Sequence, residues 1–288
     1  MSRLAVADAL AGRTAGFVCG LTWLSSDIVS VLVDEEGSIP PAEALASIAA
    51  AADTDFVFVS AGESRAAEAA GILAAADIAT MWSVTGVFGR LALKMSWAEA
   101  LRMTAAEPGE LAGALAESLH DALVDVRAGI AAGVDVILVA DDLAGATGPL
   151  VAPDYSLEAL MPCYRRIAHT AIAEGVPAVF HSDGDVRVLM PSLARAGFSA
   201  MHLAGITEEA WLASYSAARG EGMAVLGGIE AMSVAHGVRR AGERAARFAL
   251  ADGLLVCDDG GITSAEEVVA LTAAIDVARK AYAAGATD

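Results

Sequence analysis

Basic residues are scarce in this chain: 18 lysines and arginines stand against 37 aspartates and glutamates, a net charge of -19. A broad surface for nucleic acid or an anionic membrane is thereby excluded, because such partners need a basic footprint that releases counterions. Cysteine is scarcer still. Cys19, Cys163 and Cys257 are odd in number and far apart, so they describe thiols or ligands and not a disulfide framework. No apolar run approaches the ~18 residues of a membrane span, and Asp8 interrupts the place where a signal peptide keeps its apolar stretch, so a cytoplasmic protein is expected. A nucleophile elbow, a Rossmann or P-loop fingerprint, a CxxC pair and an HExxH helix are all missing.

What is present is a large apolar fraction, 56% of 288 residues, much of it alanine in blocks such as Ala49-Ala50-Ala51-Ala52. Alanine favours helix and adds little hydrophobic area. Disorder is excluded by a charged fraction of only 19%. Short β-branched runs alternate with Ala-rich amphipathic stretches, the pattern of parallel strands returned by crossover helices. The runs predict strands over 16–21, 55–61, 80–85, 134–141, 177–183, 200–204, 223–229 and 254–258. Helical spacing covers 95–103, 111–131, 156–174, 187–196, 208–219, 234–251 and 264–284. Ser96 with Glu99, and Ser264 with Glu267, have capping-box spacing, and Gly133, Gly175, Gly197 and Gly253 follow helices as left-handed caps would. A repeated unit of helix, glycine, strand and polar tip predicts one α/β domain over 1–288, a single (β/α)8 TIM barrel, with residues 1–54 as an irregular or helical N-terminal segment. Residues 22–48, including the stretch from Asp34 to Pro41, and residues Gly86 to Leu93 are expected to cover the barrel mouth as lids.

Reactive groups of such a barrel collect where its strands end. The tips here are polar: Asp141-Asp142 after the fourth strand, His181-Ser182-Asp183-Gly184-Asp185 at the fifth, His202 in the sixth, Glu230 after the seventh and Cys257-Asp258-Asp259 at the eighth. Side-chain alternation puts His181 and Asp183 on one side of their strand and Ser182 on the other. An imidazole, a thiolate and carboxylates from different strands can make a zinc site with an open position. The same acids can equally be loop caps, and Cys257 a small buried filler. Cys19 is a further candidate ligand if the first strand is real, whereas Cys163 reads as packing. His120, His169 and His236 lie in helical stretches and read as solvated or satisfied. Gly227-Gly228 and Gly260-Gly261 can offer backbone N–H groups to an anion, or simply make tight turns.

The ordered series Gly133-Val134-Asp135-Val136, Asp141-Asp142-Leu143-Ala144-Gly145, Gly148-Pro149-Leu150-Val151-Ala152-Pro153 with Tyr155 and Pro162, Phe180-His181-Ser182-Asp183-Gly184 and Ala196-Gly197-Phe198 resembles the uroporphyrinogen decarboxylase superfamily over roughly residues 80–280. The resemblance implies a single barrel with its active site at the C-terminal mouth, and two branches of chemistry. True decarboxylases carry an N-terminal arginine motif that grips the carboxylates of a tetrapyrrole; here the first 80 residues hold only Arg3, Arg13 and Arg65, none in such a setting. Corrinoid-linked methyltransferases move a methyl group between methylcobalamin, or a corrinoid protein, and a thiol or small substrate. They use zinc held by a His-x-Cys pair after the fifth strand and a cysteine near the eighth. His181 matches the histidine, Asp183 stands where the first cysteine would be, and the last cysteine position falls near Gly260 with Cys257 three residues earlier. Either a variant His181, Asp183, Cys257 set binds the metal, or the site is metal-free.

The expected function is therefore methyl transfer involving a corrinoid, with Asp142, His181 and Asp183 catalytic and Asp141, Ser182, His202 and Glu230 contacting substrate. The alternatives are a decarboxylase of uroporphyrinogen, in porphyrin biosynthesis, or of a related carboxylated compound, and a barrel that only binds a corrinoid or tetrapyrrole. A small-molecule substrate, a corrinoid protein as partner and a monomer or homodimer complete the expectation. The acids Asp141, Asp142, Asp183, Asp185, Glu230, Asp258 and Asp259 are expected to ring one mouth, a surface suited to a metal or a cationic or neutral substrate.

Overall fold

The structure is a computed structural model and describes residues 2–13, 16–33, 41–205, 207–252 and 254–286. Eight parallel strands close into a barrel: β1 Val18–Leu21, β2 Phe56–Ser60, β3 Ala79–Thr85, β4 Val136–Ala140, β5 Ala178–Asp183, β6 Ala200–Ala204, β7 Ala224–Ile229 and β8 Leu254–Asp258, in the order β1-β8-β7-β6-β5-β4-β3-β2. Both faces of such strands are covered, which is why they read as continuous apolar runs and do not alternate. Val136, Ile137, Leu138 and Val139 of β4 are all buried.

The chain clusters into two compact units. The first comprises 1–81, 132–135 and 224–288, with β1, β2, β7 and β8. Its last helix, Ala265–Gly285, starts on the expected capping box: Ser264 Oγ accepts from the Glu267 N–H, and the Glu267 carboxylate accepts from the Ser264 N–H. Of residues 22–48, those described are largely helical, in the helices Ser26–Val33 and Pro41–Ala51. Residues 34–40 of that stretch, and Gly253, lie outside the described residues.

The second unit comprises 82–131 and 136–223, with β4, β5, β6 and most of β3. Here the expected lid over 86–93 is instead a buried helix, Val87–Met95. Val87, Phe88 and Leu91 are wholly buried, and the Phe88 ring packs edge-on against Trp97 at 5.3 Å. The helix breaks at Ser96, whose side chain then caps the next helix, Trp97–Ala106, by accepting from the Glu99 N–H. After β4 the chain makes a short ribbon, Ala144–Gly145 against Gly148–Pro149, then a π-helical turn Ser156–Leu160 that leads into the helix Met161–Ala173. The helix Met190–Ala196 ends at Gly197, whose φ of +107° lies in the left-handed region that an L side chain resists.

Among the described residues no helix is long and apolar enough to cross a membrane.

Candidate active site

The site is built on β4, β5 and β6. In β5 the Phe180 ring lies edge-on between Tyr164 and Phe198, with centroids at 5.1 and 5.2 Å. Such aromatic pairs contribute about 0.5–1.5 kcal/mol each beyond area burial, so this sandwich pins the strand. Alternation then turns His181 to the face opposite Phe180. Parallel register places His181 between Ala140 of β4 and His202 of β6. Alanine on one side leaves room, and an imidazole on the other supplies a partner. His181 Nδ1 lies 2.8 Å from His202 Nδ1, and the rings are 4.8 Å apart and tilted by 31°.

The second nitrogen of His181, Nε2, faces two carboxylates: Asp142 Oδ1 at 3.8 Å and Asp183 Oδ1 at 3.7 Å. His181 is 7% exposed, and burial together with the neighbouring His202 holds its pKa well below the ordinary value. Both effects favour the neutral ring, the state in which imidazole ligates metals. Asp142 and Asp183 have side chains 44% and 54% exposed, so their charge is hydrated at the mouth. Ligand atoms from Asp142, His181 and Asp183 lie within 4.8 Å of one another. An N,O,O donor set with a neutral imidazole between two carboxylates fits a divalent cation such as zinc.

The loops carrying these acids are bound crosswise. Asp142 Oδ1 accepts from the Asp183 N–H at 2.8 Å, while Ser182 Oγ accepts from the Leu143 N–H at 3.0 Å and donates to the Asp183 carbonyl at 2.8 Å. Ser182 is thus a buried tie between loops, and both its hydrogen-bonding functions are used within the protein.

Asp141 is placed differently from its neighbour. It is 2% exposed, its Oδ2 accepts from the Tyr164 hydroxyl at 2.6 Å and the Phe88 N–H at 2.8 Å, and its Oδ1 accepts from the Gly89 N–H at 2.7 Å. It satisfies the orphan donors at the start of the helix Val87–Met95, where the helix dipole also favours an anion. Burial nevertheless pushes its pKa up to about 7 against the pull of those donors. Tyr164 went unnoticed in the sequence; the available signal was a tyrosine on the apolar face of a helix, whose hydroxyl must find a partner once buried.

The other acids of the expected ring have partners close by within their own units. Asp185 is ion-paired with Arg187 at 2.6 Å. In the first unit Asp258 is wholly buried, accepting from Thr22 and from the Gly260 N–H; Asp259 accepts from the Ala231 N–H, and Glu230 from Ser233 Oγ, at the start of the helix Ala231–Asp252. The Gly260 N–H is therefore committed to a side chain of the protein itself. Cys257 belongs to that unit too; its thiol is fully buried, and burial with the nearby Asp258 raises its pKa well above the ordinary value. Cys19 sits near the start of β1, at the end away from the strand tips, within 3.3 Å of Arg279 and beside the Asp53 carbonyl, with burial pushing it up to about 12.

The uroporphyrinogen decarboxylase family model matches residues 78–253, more than half of the chain. The chain belongs to that family. No curated protein matches the sequence. Among solved structures, a methyltransferase from Methanosarcina mazei is similar, with a TM-score of 0.71 and 17% identity over 96% of this chain and 98% of that one. A chitinase from Chromobacterium violaceum has a TM-score of 0.55 and 11% identity, covering 90% of this chain and 99% of its own. A tryptophan synthase from M. tuberculosis has a TM-score of 0.51 and 13% identity, covering 96% and 99%. At these identities the likeness shows the barrel fold. Within the uroporphyrinogen decarboxylase family, the matched span contains all of β3 to β6 and every residue of the Asp142, His181, Asp183 cluster.

Proposed function

We propose that this member of the family is a methyltransferase that moves a methyl group between a corrinoid, free or carried by a partner protein, and a small substrate or thiol. The observation that carries the reading is His181 Nε2 facing Asp142 Oδ1 and Asp183 Oδ1 at the tips of β4 and β5. The resemblance gives His181 and the Asp183 position to the zinc of the methyltransferase branch, whose third ligand lies near the eighth strand, and Asp142 would stand in for it here. The similar fold of a methyltransferase from Methanosarcina mazei accords with it. The state of the N-terminal arginines also supports this branch: Arg3 pairs with Asp135, Arg13 with Asp8 and Arg65 with Glu68. Each is engaged by a local carboxylate, which opposes a clamp for a substrate with many carboxylates.

Asp142, His181 and Asp183 would hold the metal; zinc, when bound, lowers the pKa of a thiol and favours its nucleophilic thiolate. The protein's own groups do the rest. His181 Nε2 offers a lone pair without carrying charge into the barrel. Asp142, tied to the Asp183 N–H, keeps the two acids in fixed relation. Asp183, half exposed, takes the substrate proton and passes it to water.

Metal analysis of the purified protein, with a spectroscopic titration using methylcobalamin and a thiol, tests the proposal. Stoichiometric zinc that is lost in His181→Ala and Asp183→Ala, with corrin bands shifting on demethylation, is expected. Neither metal nor methyl exchange would remove the proposal, and turnover of uroporphyrinogen would replace it with the decarboxylase.

A further inference from the structure

The two histidines meet through the same ring atom, Nδ1 to Nδ1 at 2.8 Å. A contact of this length holds one proton. With none the lone pairs repel, and with two the N–H groups collide. His202 is wholly buried on β6, in register with His181 on β5, so strand pairing fixes both rings. His181 has only two nitrogens. Engaging Nδ1 on the barrel side leaves Nε2 alone to serve the mouth, and it is Nε2 that faces Asp142 and Asp183.

We propose that His202 is the positioning residue of this site: its Nδ1 accepts the hydrogen bond from His181 Nδ1–H, fixing the ring's rotation and leaving the Nε2 lone pair directed at the two acids. Ligating histidines commonly donate their other nitrogen to a fixed acceptor, which sets the tautomer. The acceptor is usually a carboxylate or carbonyl; here a second imidazole does the same without placing a charge in the interior. The inference rests on the cation-binding reading of the site, but the bridging hydrogen bond can be measured with no cation present.

The test has two arms. In metal-free protein labelled with 15N-histidine, NMR should show scalar coupling across the hydrogen bond between the two Nδ1 atoms, with the directly bonded proton on His181 Nδ1 and not on His202. Absence of the coupling, or a proton carried by His202 Nδ1, would overturn the proposal. In zinc titrations His202→Phe, whose side chain keeps a ring but offers no acceptor, should weaken binding ~10- to 100-fold, the usual loss for such supporting partners. His202→Asn, whose amide oxygen can accept from Nδ1–H, should recover most of it. A merely space-filling role would favour the phenylalanine variant over the asparagine one, and wild-type affinity in His202→Phe would refute positioning. If the phenylalanine variant does not fold, the coupling and the asparagine variant still decide. If the wild-type chain binds no zinc, the proposed function loses its metal, while the coupling alone judges the role of His202.

Discussion

Asp141 offers the sharpest test of how this barrel is held together. Three donors converge on one fully buried carboxyl: the Phe88 and Gly89 N–H groups and the Tyr164 hydroxyl. Asp141→Asn keeps the shape but replaces one acceptor oxygen by an NH2, which must face a donor. At pH 8 the orphaned donor should cost about 1–3 kcal/mol. The pH dependence is more telling. The folded pKa of Asp141 is raised to about 7 by burial, above the unfolded value near 3.9. Between these values the folded chain retains a proton that the unfolded chain releases. The contribution of this group is therefore full below pH ~4 and is lost as pH rises toward 7. Integrating that difference from pH 5 to pH 8 gives about 2.5 kcal/mol. Urea unfolding of wild type and Asp141→Asn at both pH values, taken as a difference so that other titrating groups cancel, should show the wild-type advantage shrinking by that amount. Parallel curves would refute the reasoning and mean that the three donors, and not burial, control this carboxyl.

Two further outcomes follow from packing and burial. Gly129→Ala would bring a Cβ to 2.6 Å from the Trp82 ring, which is fixed by its Nε1–H donating to the Asp125 carbonyl at 3.0 Å; overpacking of about 1–3 kcal/mol should outweigh the helix preference of alanine and lower Tm in a thermal melt, and an unchanged or higher Tm would contradict the packing. Cys19, Cys163 and Cys257 are all buried with raised thiol pKa values, so a thiol reagent at pH 8 should label none of them in the native protein and all of them in denaturant; rapid native labelling of Cys257 would show that it is reachable from the mouth.

The strands were legible because a sheet covered on both faces writes itself as β-branched runs, and β6 and β8 match the expected boundaries. The helix Val87–Met95 was not legible. Its first turn, Gly86-Val87-Phe88-Gly89, carries two glycines and looks like loop; the helix start there is secured by Asp141, more than fifty residues later in the chain. Such long-range capping leaves no local pattern. The polar tips were legible as a class, since a barrel gathers them at one end, but their roles were not. Asp141 and Asp142 are adjacent in sequence, yet one is buried against a helix start and the other stands at the mouth. His202 was legible as a polar residue of the sixth strand expected to contact substrate, but its place beside His181 needed the strand register.

The crosswise ties between the loops after β4 and β5 also govern how the mouth can vary. Gly184 has a φ of +81°, and a Cβ there would come within 2.5 Å of the Ala144 backbone, while the Asp142 side chain and the Asp183 backbone share a hydrogen bond. Neither loop can be lengthened or redirected without its neighbour. Alanine substitutions of Asp142 and Asp183 should accordingly give effects that do not add, and a change of substrate preference at this mouth would require coordinated replacement of both segments.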